Sequence, residues 1–340
     1  MSSYEFLISA IVPCRNERHT IEPFLEDIFA QQGIPGDWEV IVADGCSDDG
    51  TSQVLQGCAA NSPRLRVVDN PGKIVSTGLN LAIREARGEF IVRLDVHTRY
   101  APDYIAQCLA VMAETGADNV GGPALTHATG IKQQAIAAAY SSPFSVGNAQ
   151  FHFAEFEGEV DTVTYGFWRK DTLERLRGFD EQLVRNQDDE LNLRIREAGG
   201  TIWQSPRIRS WYIPRHRLRD LFQQYFQYGF WKVAVIRKHR KPASLRHLVP
   251  GAFLGFLLLC TILAPWSRLA WVAGAVSITA YLLFLLAGSI SISVKKGWKV
   301  FPLLPFAIAT FHFGYGIGFL TGMLGRRFAG RRSNMNRLSR

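Results

Sequence analysis

The chain has 340 residues, 47% of them hydrophobic, and a formal net charge of +8. That length leaves room for one large domain and a smaller region. Five cysteines with no C-x-x-C pair exclude a disulfide framework and a cysteine zinc site, and fit reduced, cytoplasmic thiols. In chain order, residues 7–12 form an apolar strand-like run ended by Pro13. A helical stripe follows at Ile21, Phe24, Leu25, Ile28 and Phe29, with Gly33 past its end. Residues 40–43 and the pair Val67-Val68 read as further strands. Leu79, Ala82, Ile83 and Ala86 mark a helix that Gly88 is predicted to close in the left-handed conformation, and residues 90–94 form the next strand. This alternation predicts an α/β domain over residues 1–215 with a mostly parallel, Rossmann-like sheet. Ligands of such sheets bind beyond the C-terminal ends of the strands.

The last third changes character. Segments 248–267, 269–294 and 300–325, within a region spanning residues 246–326, are uncharged and long enough to cross a hydrocarbon core of about 30 Å. Ahead of them, residues 216–245 carry Leu218, Leu221, Phe222, Tyr225, Phe226 and Phe230 near one side. They read as an amphipathic helix in the membrane interface, or as a surface helix of the soluble domain. Basic residues flank the apolar runs at Arg237, Lys238, Arg240 and Lys241 and in the tail 327–340. That placement suits anionic lipids rather than nucleic acid. Lys295, Lys296 and Lys299 and the basic tail both ask to be cytoplasmic. Three full crossings cannot satisfy both, so two crossings followed by a bent or re-entrant third segment, containing Pro302 and Pro305, are predicted.

Three acidic groups sit where chemistry is expected. Asp44-Gly45-Cys46-Ser47-Asp48-Asp49-Gly50-Thr51 follows a strand. Its carboxylates suit a nucleobase or ribose, and equally a turn that caps the next helix. Asp95-Val96-His97 ends the strand at 90–94. In an extended chain Asp95 and His97 share a side and suit one Mg²⁺- or Mn²⁺-class ion, although a strand-end turn is the plainer reading of those residues alone. Asp188, Asp189 and Glu190 open a helix, as capping and dipole effects favour, and one of them is placed to take a proton from a hydroxyl. Gln227 and Trp231, four apart on a helix, suit a sugar or an interfacial anchor.

Taken in order, these segments resemble the family 2 inverting glycosyltransferases of the GT-A fold, most closely the bacterial subgroup for succinoglycan and related exopolysaccharide assembly. The matching features run from Ile11-Val12-Pro13-Cys14-Arg15-Asn16-Glu17 through Asp44, Asp95-Val96-His97, Gly178-Phe179-Asp180-Glu181 and Asp188 to Gln227 and Trp231, over residues 7–235. The resemblance implies a donor site at Pro13, Glu17, Asp44 and Asp95, with Asp95 and His97 at a divalent metal. It implies Asp188 as general base, with Asp189 as rival, and Gln227 and Trp231 on the acceptor and diphosphate side. His97 stands where many relatives have Asp, Gln187 where Glu is usual, and Phe230 where Q-x-x-R-W has Arg. The missing Arg favours single-sugar transfer over polymerisation.

The implied activity is metal-dependent transfer of a hexose from a nucleotide sugar, UDP-linked by family preference, to a saccharide on polyprenyl diphosphate. The enzyme would be multi-pass in the inner membrane with a cytoplasmic catalytic domain, with membrane lipids and other glycan-assembly enzymes as partners. Transfer straight onto polyprenyl phosphate is the alternative; a nucleotidyltransferase and an inactive membrane scaffold rank below it.

Overall fold

The computed structural model describes residues 6–325. The chain divides into two compact units. One comprises Met1–Leu125 with Phe153–Ile213, the other Thr126–His152 with Pro214–Arg340. A linear division at residue 215 does not anticipate that residues 126–152 group with the C-terminal helices.

The first stretch runs β1 (Phe6–Cys14), α1 (Ile21–Phe29), β2 (Trp38–Asp44), α2 (Thr51–Asn61), β3 (Leu65–Asp69), α3 (Val75–Glu85), β4 (Gly88–Arg93), β5 (Thr98–Tyr100), α4 (Tyr104–Thr115), β6 (Asn119–Gly122) and β7 (Leu125–Thr126). After α5 (Ile131–Tyr140) and α6 (Pro143–Val146) come β8 (Gly158–Glu159), β9 (Thr164–Arg169), α7 (Lys170–Arg175), α8 (Gln187–Glu197), β10 (Ile202–Gln204) and β11 (Ser210–Tyr212). The chain continues as α9 (Leu218–His239), α10 (Val249–Leu263), α11 (Arg268–Lys296) and α12 (Leu304–Leu324).

An eight-stranded sheet, ordered β3-β2-β1-β4-β9-β6-β10-β8, forms the frame of the first unit. Strands β3, β2, β1 and β4 run parallel, and β9 is antiparallel to both β4 and β6. Side chains alternate between two cores, as a pleated strand covered on both faces requires. Ile8, Ala10, Val12, Val40, Val42 and Val92 pack with α1 and α4 on one face, while Ile11, Ile41 and Ile91 pack with Leu79 and Ile83 of α3 and Leu191 and Ile195 of α8 on the other.

Two sequence expectations are corrected here. Gly88 does not close α3 in a left-handed turn; it is the first residue of β4. A Cβ there would lie 2.5 Å from the backbone nitrogen of Ser9, so glycine is needed for β4 to approach β1. The strand then ends at Arg93, and residues 94–97 form a turn in which the Thr98 amide donates to the Asp95 carbonyl at 3.1 Å. Asp95 and His97 therefore do not share a side by strand alternation.

In the second unit, α9 lies along α12 at backbone contact. Cβ atoms built at Gly314, Gly318 and Gly322 would stand 3.0, 2.0 and 2.8 Å from the carbonyl oxygens of Phe222, Phe226 and Phe230. Both helices advance four residues between contacts, so they run parallel, and small residues permit the approach. The apolar side of α9, expected to meet lipid or the soluble domain, here covers α12. Pro302 falls in a 3-10 turn and Pro305 in the first turn of α12, where a missing N–H costs nothing. The helix that follows is continuous from Leu304 to Leu324. Ala135, Ile136 and Ala139 of α5 pack with Leu304, Ile308 and Phe311 of α12 and Leu285 and Ile292 of α11. Three helical stretches, Leu245–Leu263, Arg268–Lys296 and Trp298–Leu324, are long and apolar enough to cross a membrane. The basic tail 327–340 lies outside the described residues.

Candidate active site

The site grows from the C-terminal edge of the sheet, where register pairs Cys14 of β1 with Asp44 of β2 and Ile11 of β1 with Arg93 of β4. The loops beyond β1 and β2 are laced together. The Asn16 amide donates to Ser47 Oγ at 2.8 Å, the Asp48 amide to Asn16 Oδ1 at 3.0 Å, and the Glu17 amide to Thr51 Oγ1 at 2.7 Å. Pro13 lies in β1 opposite Ala43, one step before this lacing. Asp44 is buried; Oδ1 accepts from the Ser47 hydroxyl at 2.5 Å and Oδ2 from the Ser52 hydroxyl. Oδ1 also accepts from the Ser47 amide at 3.3 Å and is filled, but Oδ2 keeps a further lone pair, so loop-shaping and ligand binding by Asp44 are compatible. Asp49 accepts from the amide of Thr51, the first residue of α2, at 3.0 Å, while the N-cap position itself is the left-handed Gly50.

Arg93 joins the second and third acidic groups. Its side chain is nearly sealed from solvent, with Nε and Nη2 donating to the two oxygens of Asp95 at 3.0 and 3.1 Å, and Nη1 donating to Oδ1 of Asp188. Burial alone would lower the guanidinium pKa, but the charges of Asp188 and Asp95 outweigh it and hold Arg93 charged. Asp188 sits in the first turn of α8 and keeps 34% of its side chain exposed. Confinement by surrounding protein pushes its pKa above the usual carboxylate value, against the opposing pull of Arg93. Its second oxygen has no other hydrogen bond among the described residues and is left to receive a proton.

Tyrosines support the turn beneath. The Asp95 amide donates to the Tyr100 hydroxyl at 2.7 Å, and Tyr100 packs against Tyr104 and Tyr165. Burial raises all three phenols well above their usual values, so they stay neutral; the hydroxyls of Tyr100 and Tyr165 are hydrogen-bonded, to the Asp95 backbone and to the Thr98 hydroxyl.

His97 turns its Nε2 to Glu17 Oε1 at 2.9 Å, joining the loops after β1 and β4. Among the described residues no cluster of three or more His, Cys, Asp or Glu is arranged as a metal site. The donor chemistry nonetheless fits a hard divalent cation as a partial set. Asp95 is one-third exposed, and its oxygens keep lone pairs beyond the guanidinium bonds. Ions of this class take one or two carboxylates and fill the remainder with phosphate oxygens and water.

Asp189 lies beside Asp188 in the same turn of α8. Gln227 and Trp231 lie on α9, in the second unit; Gln227 is buried, and the Trp231 indole N–H is buried without a partner among the described residues. Sequence reasoning missed the roles of Arg93, Ser47, Ser52 and Tyr100. An arginine closing an otherwise apolar buried strand was the available signal, since such a cation needs carboxylates beside it.

The comparisons agree with this architecture. Residues 9–175 match the family described as Glycosyl transferase family 2. The succinoglycan biosynthesis protein ExoA of Rhizobium meliloti is 32% identical over 244 residues, 71% of this chain and 74% of that protein. The dolichyl N-acetyl-alpha-D-glucosaminyl phosphate 3-beta-D-2,3-diacetamido-2,3-dideoxy-beta-D-glucuronosyltransferase of Methanococcus voltae is 25% identical over 93% of this chain and 97% of its own length. Among solved structures, the mannosyltransferase PcManGT of Pyrobaculum calidifontis, in complex with GDP-Man and Mn²⁺, shares the fold at a TM-score of 0.58 and 18% identity, covering 94% of this chain and 88% of that one. TarS 1–349 of S. aureus, in complex with UDP-GlcNAc, does so at 0.52 and 18% identity, over 94% and 92%. Identity and coverage with the rhizobial protein, together with the family match over the sheet and its loops, place the chain: it is a glycosyltransferase and belongs to glycosyl transferase family 2.

Proposed function

We propose that this glycosyltransferase moves one hexose, with inversion, from a UDP-linked donor to a saccharide carried on a polyprenyl lipid. The observation that carries the reading is that Asp95 and Asp188, far apart in sequence, meet on one guanidinium at the same sheet edge that bears Asp44. Asp44 and the Ser47 loop hold the nucleoside, with Pro13 and Glu17 shaping the wall beside it. Asp188 accepts the proton of the acceptor hydroxyl as that oxygen attacks the anomeric carbon, and the nucleoside diphosphate departs from the opposite face. A divalent ion, when bound, neutralises diphosphate charge; Asp95 would hold it, with His97 and Glu17 as the neighbouring pair. Gln227 and Trp231 would serve the acceptor side.

The lipid-linked acceptor is supported by the three apolar helices and by the methanogen relative, whose name describes transfer to a sugar on dolichyl phosphate. A cytoplasmic catalytic unit is supported by the basic residues around α9 and at Lys295 and Lys296.

The test is Asp188→Asn in full-length protein in membranes. Turnover should fall about 10²–10⁴-fold, the usual worth of a general base, while nucleotide binding is retained. Unchanged turnover points instead to a phosphate acceptor, which needs no base, and release of pyrophosphate instead of UDP would reject sugar transfer.

A further inference from the structure

We propose that Arg93 is a positioning residue that sets the proposed base, Asp188, at a fixed place relative to the proposed donor-side acid, Asp95. The inference rests on the reading of Asp188 given above, and it concerns a residue that touches neither substrate. Arg93 is the last residue of β4, a central strand held between β1 and β9, and it pairs with Ile11 of β1 directly after Val92 pairs with Phe167 of β9. Only 5% of its side chain is exposed. A cation so enclosed is expensive unless fully paired, and here each of its three nitrogens donates to a carboxylate. Nε and Nη2 grip both oxygens of Asp95, and Nη1 grips one oxygen of Asp188.

That arrangement has a geometric consequence. The guanidinium is planar and rigid, so two bonds to Asp95 fix the plane of the fork and thereby the direction of the third bond. Asp188 comes from a different element, the first turn of α8, and follows a residue with left-handed backbone, Asn186 (φ 62°), by two positions. The chain thus re-aims sharply just before the acid. With Oδ1 tied to Nη1, rotation of the Asp188 carboxylate is stopped and Oδ2 presents one lone-pair direction to the acceptor hydroxyl. Proton transfer in the transition state demands such placement, and an error of about 1 Å is worth roughly 100-fold in rate. Lysine keeps the charge but offers a single nitrogen on a flexible stem. It cannot hold both oxygens of Asp95 and reach Asp188 in one plane.

The experiment compares Arg93→Lys, Arg93→Met, Asp188→Asn and the Arg93→Met/Asp188→Asn double variant as full-length protein in native membranes. UDP- and GDP-hexoses are screened first, and the donor that the unaltered protein turns over is used. Thermal melting identifies the folded variants; if Arg93→Met does not fold, Arg93→Lys and its double with Asp188→Asn carry the test. Arg93→Lys should lower kcat about 100-fold with a much smaller change in donor KM, a split that general loosening of the fold would not give. The double variant should be no slower than Asp188→Asn alone, because Arg93 acts through Asp188. If Asp188→Asn is inactive but Arg93→Lys retains kcat, or the two losses multiply, the positioning role is overturned and the base stands. If Asp188→Asn retains turnover, the assignment of the base fails and Arg93 loses its proposed role with it.

Discussion

The backbone carbonyl oxygen of Phe226 in α9 lies only 2.0 Å from where a Cβ on Gly318 of α12 would begin. No side chain fits between these helices at that point. Gly318→Ala should therefore destabilise the protein by about 3 kcal/mol or more, at the upper end of overpacking costs because the obstacle is backbone. Gly255→Ala, whose nearest neighbour would be a leucine methyl at 3.8 Å, should be nearly silent. Thermal melting of the two variants in the same detergent provides the comparison; equal melting points would contradict the close packing.

The same parallel pairing bears on which side of the membrane α12 ends. Residues 221–231 of α9 are uncharged, but Arg219 and Asp220 precede them and Lys232 follows. Eleven residues of helix span about 16 Å, short of the roughly 30 Å core, so α9 should not cross. Gly322 meets Phe230 near the end of that stretch, so α12 should end on the side on which α9 lies. Cysteines at Leu324 and Lys295 are expected to react with an impermeant maleimide from the same side of sealed vesicles, and one at Ser267 from the other. Labelling of Leu324→Cys together with Ser267→Cys would mean a third crossing.

Activity should show an acid limb set by Asp188. Confinement raises its pKa despite the pull of Arg93, and only the ionised form accepts a proton. The rate should therefore fall as pH drops through a value higher than an ordinary aspartate's, and stay level above it until another group titrates. A kcat/KM profile measured from pH 4 to 8 reads this directly; a limb at or below the usual carboxylate range would argue against Asp188 as the base.

Donor binding should depend on the two hydroxyls that hold Asp44. Ser52→Ala removes the donor to Oδ2 and should raise donor KM about tenfold or more with little change in kcat, since a hydrogen bond to a charged group is worth about 1.5–3 kcal/mol. Asp44→Asn should weaken nucleotide binding further. Isothermal titration with UDP gives the order, and equal affinity across the three proteins would remove Asp44 from the donor site.

Stability should also fall in mild acid because of His152. Burial, reinforced by the charge of Arg246, pushes its pKa down from 6.5 to about 3 in the folded protein. Its contribution is present above pH 6.5 and is lost as pH falls below it, because the unfolded chain then binds a proton the folded one refuses. Each unit below 6.5 costs about 1.4 kcal/mol. His152→Phe should flatten that dependence between pH 5 and 7 in a melting series, and an unchanged slope would assign it to other groups.

Much of this protein was written in local sequence. Alternating strand and helix periods gave the mostly parallel sheet, because hydrophobic spacing is read one element at a time. Asp44 ends β2, Asp95 follows β4 and Asp188 opens α8, places beyond strand ends or at a helix start where local sequence already marks an acid, so all three stood out. Three long apolar runs announced helices long and apolar enough to cross a membrane. The sequence could not show what depends on elements far apart in the chain. The bonds from Arg93 to Asp188 and from Glu17 to His97 exist because the sheet brings β1 and β4 together and aims α8 at their edge. Gly88 looked like a helix stop until β4 was seen against Ser9. The apolar side of α9 pointed equally well at lipid or protein, because a hydrophobic stripe states only that it is covered. Tertiary packing named the cover, the glycines of α12.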